Sequence, residues 1–295
     1  MEIIFLGTSC MVPTKERNHQ SILLLYRGDR VLIDCGEGTQ RQFKEVGRSI
    51  AKINTIFITH WHGDHVFGLP GMLQSLNASD YQQKLMIYGP EGTKKNIKNL
   101  FNTFNFVPVF DYKIMEIEKD KIELKDLIVN SAPLKHTTSC LGYSFKEKDR
   151  RKVNLDKVKK IGMEEGPLLG KLQNNEEIEW KGKKIKPEEV TYVVEGKKVS
   201  IILDTVPTKE GDNLVKGSDL LIAEAVYTEE LKEKAKEYKH MTATQAAKMA
   251  AKNKVKKLVL THFSQRYKTS EEIVKEAKEI FENTEASHDF LKIEI

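Results

Sequence analysis

The chain has 295 residues, of which 39% are hydrophobic and 31% are charged, and its formal net charge is +5. This composition is typical of an ordered globular protein with one large domain or two small ones, and it excludes a disordered, collagen-like or coiled-coil chain. No stretch of the sequence approaches the roughly 20 consecutive apolar residues that a membrane-spanning helix needs.

These features predict a cytoplasmic protein with no membrane partner. The chain begins directly with a strand-like run at residues 2–6, so we expect no signal peptide. Cys10, Cys35 and Cys140 are too few and too scattered for a disulfide framework, and we expect them to be reduced thiols. A surplus of +5 is only a mild indication of acidic partners such as nucleic acid.

Strand patterns and helix patterns recur in both halves of the chain. In the first half the sequence predicts strands at residues 2–6, 21–26, 31–33, 53–59, 113–117, 122–132 and 141–145, and helices at 66–76 and 91–104. In the last third it predicts strands at 199–203, 220–223 and 257–261, and helices at 242–252 and 270–282. Strands joined by helical crossovers favour a layered α/β architecture with the sheets inside and the helices outside.

Residues 146–198 differ from the sequence around them. They are dense in Lys and Glu, they offer few apolar side chains to bury, and glycines and a proline cluster between residues 162 and 170. They carry 15 basic and 11 acidic residues, so most of the net charge of the chain belongs to them. We predict an insertion here, in a single catalytic domain formed by residues 1–145 and 199–295. A long charged insertion is as often a merely solvated loop or hairpin.

The segment that carries chemistry is Thr59-His60-Trp61-His62-Gly63-Asp64-His65, directly after a predicted buried strand. Imidazole and carboxylate are ligands that suit zinc. His60 and His62 project to the same side if the backbone is extended, whereas Asp64 and His65 lie beyond Gly63 and can face a second position. One loop can therefore supply two metal ions; the alternative is a set of solvated histidines on a surface turn.

A site with two metals needs further ligands, and single His or Asp residues follow three other predicted strands. They are His136, Asp204 and His262. A single histidine at a strand end is more often a core or surface residue whose ring nitrogens are hydrogen-bonded without any metal. Four strand ends with the same kind of side chain favour one shared metal site.

Seven stretches of the chain together resemble the ribonuclease Z family of the metallo-β-lactamase superfamily, endonucleases that remove 3′ trailers from precursor tRNA. They are FLGTS at 5–9, DCGEGTQRQ at 34–42, THWHGDH at 59–65, PLKHT at 133–137, LDT at 203–205, KHMTATQAA at 239–247 and THFSQRY at 261–267. The HxHxDH pattern alone is specific only to the superfamily, whereas the combination is specific to ribonuclease Z. The resemblance implies a four-layer αββα fold, precursor tRNA as partner, two zinc ions per subunit and a homodimer.

The resemblance also implies two ligand sets that share one residue. The first zinc is held by His60, His62 and His136, the second by Asp64, His65 and His262, and Asp204 bridges both. Two zinc ions about 4 Å apart lower the pKa of a shared water toward neutrality and stabilise charge at the attacked phosphorus.

The same resemblance assigns catalytic roles. Asp64 is implied as the group that orients or deprotonates the attacking water, and His240 as the donor of a proton to the departing 3′ oxygen. Glu224 matches an acidic residue that orients His240. His240 lies at the start of the predicted helix, where its pKa tends to fall, and the alternative is a capping-region histidine without chemistry.

Further residues near the predicted ligands are candidates for binding or support. Ser264, Arg266 and Tyr267 are candidates for phosphate binding, although Tyr267 can equally serve packing. Asp34 and the turn after it suit hydrogen bonds to ligating imidazoles, or a turn kept only for folding. Cys35 and Cys140 are interpreted as packing residues.

For the insertion, the resemblance implies an arm that grips the tRNA elbow away from the cleavage site. Its tip matches the run 166–172, with Gly166, Pro167, Gly170 and Lys171 as the binding candidates. Basic side chains there would contact RNA phosphates. The affinity for RNA would then depend on salt concentration and not on the RNA sequence.

The chain departs from the family pattern in two places. Residues 203–207 read LDTVP where the family has GDT before an Arg-Pro pair, which puts local phosphate contacts in doubt, and Met241 replaces a common Ser.

We therefore expect a zinc-dependent endoribonuclease that leaves a 3′-hydroxyl on the tRNA and a 5′-phosphate on the trailer. The alternatives are a hydrolase of a small ester, lactone or thioester, and a non-catalytic RNA-binding relative. Fold alone does not choose among them.

Overall fold

The structure is a computed structural model that describes residues 1–295. It divides into two compact units, one formed by residues 1–145 and 198–295 and the other by residues 146–197. No helix in either unit combines the length and the apolar character required to traverse a membrane.

The first unit is built on two seven-stranded sheets. Across the first sheet the strands are Lys292–Glu294, Glu2–Gly7, Ser21–Tyr26, Asp29–Ile33, Thr55–Phe57, Leu85–Gly89 and Tyr112–Glu116. Across the second sheet they are Thr284–Ala286, Leu258–Thr261, Leu220–Glu224, Lys198–Ile202, Ser139–Glu147, Leu127–Lys135 and Lys121–Glu123. A short parallel pair, Ser9–Cys10 with Phe263–Ser264, lies outside both sheets.

Three hydrophobic clusters hold this unit in four layers. The central cluster joins the facing sides of the sheets, with Phe5, Phe57, Tyr143, Phe145 and Val259 among its buried members. A second cluster covers the outer face of the first sheet with the helices Thr39–Glu45, Leu69–Ala78 and Thr93–Thr103. A third covers the outer face of the second sheet with the helices Lys209–Val215, Ala243–Lys252 and Glu271–Lys278. The predicted α/β class and αββα layering are confirmed.

Several predicted elements differ from those observed. The predicted strand 53–59 is only Thr55–Phe57, because its last residues turn toward the site. The predicted strand 122–132 is two strands, Lys121–Glu123 and Leu127–Lys135, separated by a turn. The predicted helix 66–76 is split into Gly63–Val66 and Leu69–Ala78 around Gly68.

Several elements of the first unit were not predicted. Among them are the helices Thr39–Glu45, Lys209–Val215 and Lys232–Tyr238 and the strands Leu85–Gly89, Thr284–Ala286 and Lys292–Glu294. The helix Thr39–Glu45 begins within the DCGEGTQRQ stretch, where glycines suggested only a turn, and Gly38 precedes it in a left-handed conformation, with φ 76°.

The second unit contains secondary structure and a small core of its own. Its strands pair as Arg150–Val153 with Thr191–Val194 and as Ile178–Trp180 with Lys183–Ile185. Its helices are Leu155–Lys160, Pro167–Gln173 and Pro187–Val190. Seven apolar side chains are buried there: Val158, Met163, Leu169, Leu172, Ile178, Ile185 and Val190. The segment therefore holds more buried apolar side chains than its composition suggested.

Candidate metal centre

The seven predicted ligands meet where strands of the two sheets end. His60 follows Thr55–Phe57, Asp204 follows Lys198–Ile202 and His262 follows Leu258–Thr261. In the second sheet the strands Lys198–Ile202, Leu220–Glu224 and Leu258–Thr261 run parallel, so their carboxyl ends share one edge. Residues far apart in the chain are thereby brought to one place.

Three acidic or imidazole residues at these strand ends adopt left-handed backbone conformations. The φ angles are 57° at Asp34, 51° at Asp204 and 60° at His262. Asn, Asp and His enter this region more readily than other non-glycine residues. The sharp change of direction turns each side chain away from its strand and toward the site.

The DCGEGTQRQ stretch and the segment that follows the histidine motif are held together by close backbone contacts. The Cys35 amide donates to the carbonyl of His65 at 2.7 Å, and the Gly68 amide donates to the carbonyl of Cys35 at 2.9 Å. A Cβ atom on Gly68 would lie 2.1 Å from the carbonyl oxygen of Gly36, so only glycine fits there.

Three histidines and one oxygen of Asp204 face a first position. His62 Nδ1 lies 3.2 Å from His136 Nε2. Asp204 Oδ1 lies 3.9 Å from His60 Nε2 and 3.8 Å from His136 Nε2. Ligands that hold one tetrahedral zinc ion are about 3.3 Å apart, so these donors need only small side-chain movements to share an ion.

The other oxygen of Asp204 faces a second position. His65 Nε2 lies 3.1 Å from His262 Nε2 and 3.2 Å from Asp204 Oδ2. Asp64 Oδ2 lies 3.4 Å from His262 Nε2 and 3.5 Å from His65 Nε2. These separations also match those of ligands around a single ion, and the two oxygens of Asp204 divide between the two sets.

The buried polar atoms of the site fit a cation. His60 Nε2, Asp64 Oδ1 and Asp204 Oδ2 are buried and have no hydrogen-bond partner. Leaving such atoms unpaired is costly unless a ligand binds them. Burial lowers the pKa of His60 and His62, and it lowers the pKa of His136 to about 4. Neutral imidazole is the form that binds metal.

Hydrogen bonds select the ligating nitrogen of two histidines. His65 Nδ1 donates to Asp34 Oδ2 at 2.7 Å, and Asp34 is held in turn by the amide and the hydroxyl of Thr59, each at 2.8 Å. His136 Nδ1 donates to the carbonyl of Lys239 at 3.1 Å. In both rings Nε2 stays available as a ligand. Of the two roles predicted for Asp34, the geometry supports the bond to a ligating imidazole.

Two contacts at the site were missed by sequence reasoning because they come from the backbone. One is the Lys239 carbonyl, and the other is the Met11 amide, which donates to Asp64 Oδ2 at 2.9 Å. Any residue type can supply such a group. The only signals were that Lys239 directly precedes His240 and that Met11 follows the FLGTS stretch.

His240 forms a buried ion pair with Glu224. Its Nδ1 donates to Glu224 Oε2 at 2.8 Å, and Glu224 Oε1 accepts from the Thr205 amide at 2.6 Å. Burial lowers the pKa of His240, but the Glu224 carboxylate, aided by Asp204 and Asp64, outweighs burial and raises that pKa to about 9. Burial raises the pKa of Glu224.

Two expectations about His240 were therefore wrong. The helix is Ala243–Lys252, with Thr242 as its N-terminal cap, so His240 lies outside it. Its pKa rises instead of falling, because a carboxylate and not the end of a helix is its nearest charged neighbour.

The candidate phosphate-binding residues fall into two groups. Ser264 is half-buried and Arg266 is exposed, and Arg266 Nε donates to Ser264 Oγ at 3.1 Å. Tyr267 is buried, and its hydroxyl accepts from the Thr228 amide at 2.9 Å. The structure supports the packing alternative for Tyr267.

The four candidate tRNA-binding residues of the insertion lie in the second unit. Pro167 begins the helix Pro167–Gln173, and Gly166 is its N-terminal cap. Gly166, Pro167 and Lys171 are exposed, and Gly170 is half-buried with open space where a Cβ would lie. No part of this group belongs to the metal centre.

Cys35 and Cys140 are buried with packing partners. Cys35 Sγ lies 3.7 Å from Met72 Sδ, and Cys140 Sγ lies 3.6 Å from the carbonyl oxygen of Leu203. Burial raises the pKa of both thiols, that of Cys35 to about 12.

Comparisons with known proteins cover the whole chain. The ribonuclease Z of Methanothermobacter thermautotrophicus is 40% identical over 297 residues, covering 100% of this chain and 97% of the relative. The ribonuclease Z of Thermococcus kodakarensis is 41% identical, covering 96% and 90% respectively. The crystal structure of human tRNase Z, short form, matches with a TM-score of 0.75 and 28% identity, covering 100% of this chain and 99% of the human one.

A family model described as Anti-Pycsar protein Apyc1 matches residues 1–148. This match contains the histidine motif at 60–65 and His136 but not Asp204, His240 or His262, whereas the ribonuclease Z relatives span all of them.

Proposed function

Because the chain belongs to the ribonuclease Z family, endoribonucleases of the metallo-β-lactamase superfamily, we propose that it removes the 3′ trailer of precursor tRNA by zinc-dependent hydrolysis. The proposed products are a 3′-hydroxyl on the tRNA and a 5′-phosphate on the trailer. The observation that carries the proposal is the pairing of His240 with Glu224 beside seven convergent His and Asp side chains. Hydrolysis of a small activated ester has no need of a buried acid of this kind.

In the proposed enzyme the residues of the two ligand sets would hold two zinc ions per subunit. When bound, the ions supply Lewis-acid stabilisation of phosphoryl charge and lower the pKa of water. The unpaired buried atoms of His60, Asp64 and Asp204 support this assignment. The homodimer is a further part of the proposal, taken from the family.

Asp64 is proposed as the base for the attacking water. Its Oδ2 accepts from the Met11 amide and faces the histidines, whereas Oδ1 is buried and unpaired. The neighbouring imidazoles of His65 and His262 outweigh burial and keep the pKa of Asp64 below its usual range. Because Oδ1 has no hydrogen bond, it is the atom that can orient the water and take its proton as the oxygen bonds to phosphorus.

His240 is proposed as the acid for the departing oxygen. Glu224 occupies Nδ1 and holds the ring, which leaves Nε2 for the substrate. As the bond between phosphorus and the 3′ oxygen breaks, the proton on Nε2 passes to that oxygen and gives the tRNA hydroxyl. Glu224 touches no substrate atom in this scheme and acts as a positioning residue.

Basic side chains outside the centre are proposed to bind RNA phosphates. Burial and the carboxylates of the site raise the pKa of the Cys10 thiol, and Arg266 lies close enough to oppose that rise in part. In the second unit Lys159, Lys160 and Lys171 are exposed and take part in no salt bridge. Such contacts position an RNA without reading its sequence.

A chelator experiment tests the function directly. Zinc-loaded protein, incubated with a precursor tRNA that carries a 3′ trailer, is expected to cut once at the tRNA end. A chelator is expected to abolish the cut and added zinc to restore it, because the Lewis-acid stabilisation and the lowered pKa of water depend on the metal. Sequencing both ends should identify a 3′-hydroxyl and a 5′-phosphate.

Two controls accompany this measurement. The same tRNA without a trailer should give no new end, and a panel of esters, lactones and thioesters should be hydrolysed slowly or not at all. A chelator-insensitive cut, or efficient turnover of a small ester without tRNA cleavage, would contradict the proposal.

The role of His240 is tested by comparing two leaving groups. His240→Ala is expected to lower kcat on precursor tRNA by about 10²- to 10⁴-fold, the usual contribution of a general acid. The same variant should lose less than about tenfold on bis(p-nitrophenyl) phosphate, because nitrophenolate departs without a proton. Glu224→Gln should show the same pattern to a smaller degree.

The matched control is His288→Ala, which removes an exposed histidine outside the metal centre. It should leave both activities within about twofold, as expected for a surface substitution. Equal losses of His240→Ala on the two substrates would exclude a role in protonating the leaving group.

A further inference from the structure

Cys10 is the one cysteine whose thiol lies at the metal centre. Its Sγ, a carboxylate oxygen of Asp64 and a ring nitrogen of His262 all lie within 4.8 Å of one another. Cys35 and Cys140, by contrast, are in packing contact with Met72 and Leu203 and belong to no such group.

Hydrogen bonds on both sides of Cys10 fix it there. Ser9 and Cys10 pair in parallel with Phe263 and Ser264, directly after His262. On the other side, the Met11 amide donates to Asp64 Oδ2 at 2.9 Å. Cys10 is thus held between two segments that carry ligands of the second metal position.

The donors beside the thiol are themselves buried and incompletely bonded. Asp64 is 3% exposed and its Oδ1 has no partner, and His262 is fully buried. Cys10 also packs against Val226 and Tyr227, and Asp64 Oδ1 accepts no hydrogen bond.

We propose that Cys10 is an additional ligand of the second metal position, where its sulfur joins Asp64 and His262. The inference rests on the metal centre of the proposed function. The thiol binds as thiolate and its proton passes to solvent, so that no oxidant or reductant is needed. A sulfur ligand shifts the preference of the position toward zinc and other thiophilic metals and away from magnesium and manganese.

Cobalt substitution of the full chain gives a direct readout. Co²⁺ added to metal-free protein should give visible d–d bands from the histidine and carboxylate ligands. It should also give a near-ultraviolet charge-transfer band that only a thiolate ligand produces. Cys10→Ser and Cys10→Ala are each expected to lose the charge-transfer band while keeping the d–d bands, and to bind one of the two metal equivalents roughly tenfold more weakly or worse.

Cys35→Ala is the matched control, because it removes a buried thiol outside the site; it should keep the charge-transfer band. A wild-type spectrum with d–d bands but no charge-transfer band would overturn the Cys10 inference alone. A charge-transfer band that persists in both Cys10 variants would do the same. Failure of cobalt to bind at all would overturn the proposed metal centre and this inference with it.

Alkylation provides a second measurement that needs no variant. Zinc should slow the reaction of Cys10 with iodoacetamide by about tenfold or more, because a metal-bound thiolate is less available. The peptides that contain Cys35 and Cys140 serve as internal references in the same digest. Equal rates at Cys10 with and without zinc would contradict the proposal.

Discussion

Asp204→Asn is expected to lower kcat/KM on precursor tRNA by about 10⁴-fold or more, a loss typical of removing a central catalytic group. The two oxygens of Asp204 face different ligand sets, so a single substitution weakens both metal positions. An amide supplies one neutral oxygen where the carboxylate supplies two charged ones. Metal analysis after dialysis should accordingly find less than two zinc ions per chain.

Asparagine is the right replacement because it changes the ligand atoms of residue 204 without disturbing the fold. Asp204 has φ 51°, a conformation that asparagine also adopts readily, and the two side chains have nearly the same shape. Alanine would destabilise the folded state at this position, because it adopts a positive φ less readily than asparagine does. The metal-free variant should therefore match metal-free wild type in circular dichroism and in thermal unfolding.

Asp126→Asn is the matched control for this experiment. Asp126 accepts from Arg27 and from the Gly28 amide, far from any predicted ligand in the hydrogen-bond network. It should keep both metals and full activity. An Asp204→Asn protein that binds two zinc ions and cleaves tRNA normally would exclude the bridging role.

Removal of the second unit is expected to raise KM for precursor tRNA by on the order of 10²-fold, because several phosphates of the RNA then have no basic partner. The Glu147 amide donates to the Lys197 carbonyl at 2.9 Å, so the two ends of the unit are adjacent. Residues 148–196 can therefore be replaced by a Gly-Gly link. The unit has a small core of its own buried apolar side chains.

Turnover of bis(p-nitrophenyl) phosphate should not change in this deletion, since every predicted metal ligand lies in the first unit. The dependence of log KM on log salt should also become shallower, by nearly one for each RNA phosphate that the protein no longer neutralises. Equal losses on tRNA and on the small diester would show that the unit supports the fold of the catalytic domain instead of binding RNA.

A triple substitution of Lys159, Lys160 and Lys171 by alanine tests the same point without a deletion. It should raise KM for tRNA in the same direction but by less. The control is a chain in which Lys275 and Lys278, on the helix Glu271–Lys278, are replaced by alanine. If the control raises KM as much as the triple variant, the effect reflects the net charge of the chain and not this unit.

The sequence alone determined the fold class and the set of residues that meet at the centre. Apolar runs that end in His or Asp predicted strand ends with metal ligands, and the structure brings together His60, His62, Asp64, His65, His136, Asp204 and His262. This succeeds because hydrophobic periodicity and residue type are local properties that a single chain displays. The resemblance then supplied His240 and Glu224, which periodicity does not distinguish.

Only the tertiary structure decided which atoms touch. It revealed that Lys239 orients His136 through its carbonyl, that Met11 holds Asp64 through its amide, and that Glu224 raises the pKa of His240. It also placed the sulfur of Cys10 beside Asp64 and His262, and buried Tyr267 against Thr228. Backbone groups carry no residue signature, and partners that are distant in the sequence are set by how the elements of the fold pack. The sequence therefore identifies the candidate metal ligands. The fold determines their hydrogen-bond partners, their orientations and their pKa values.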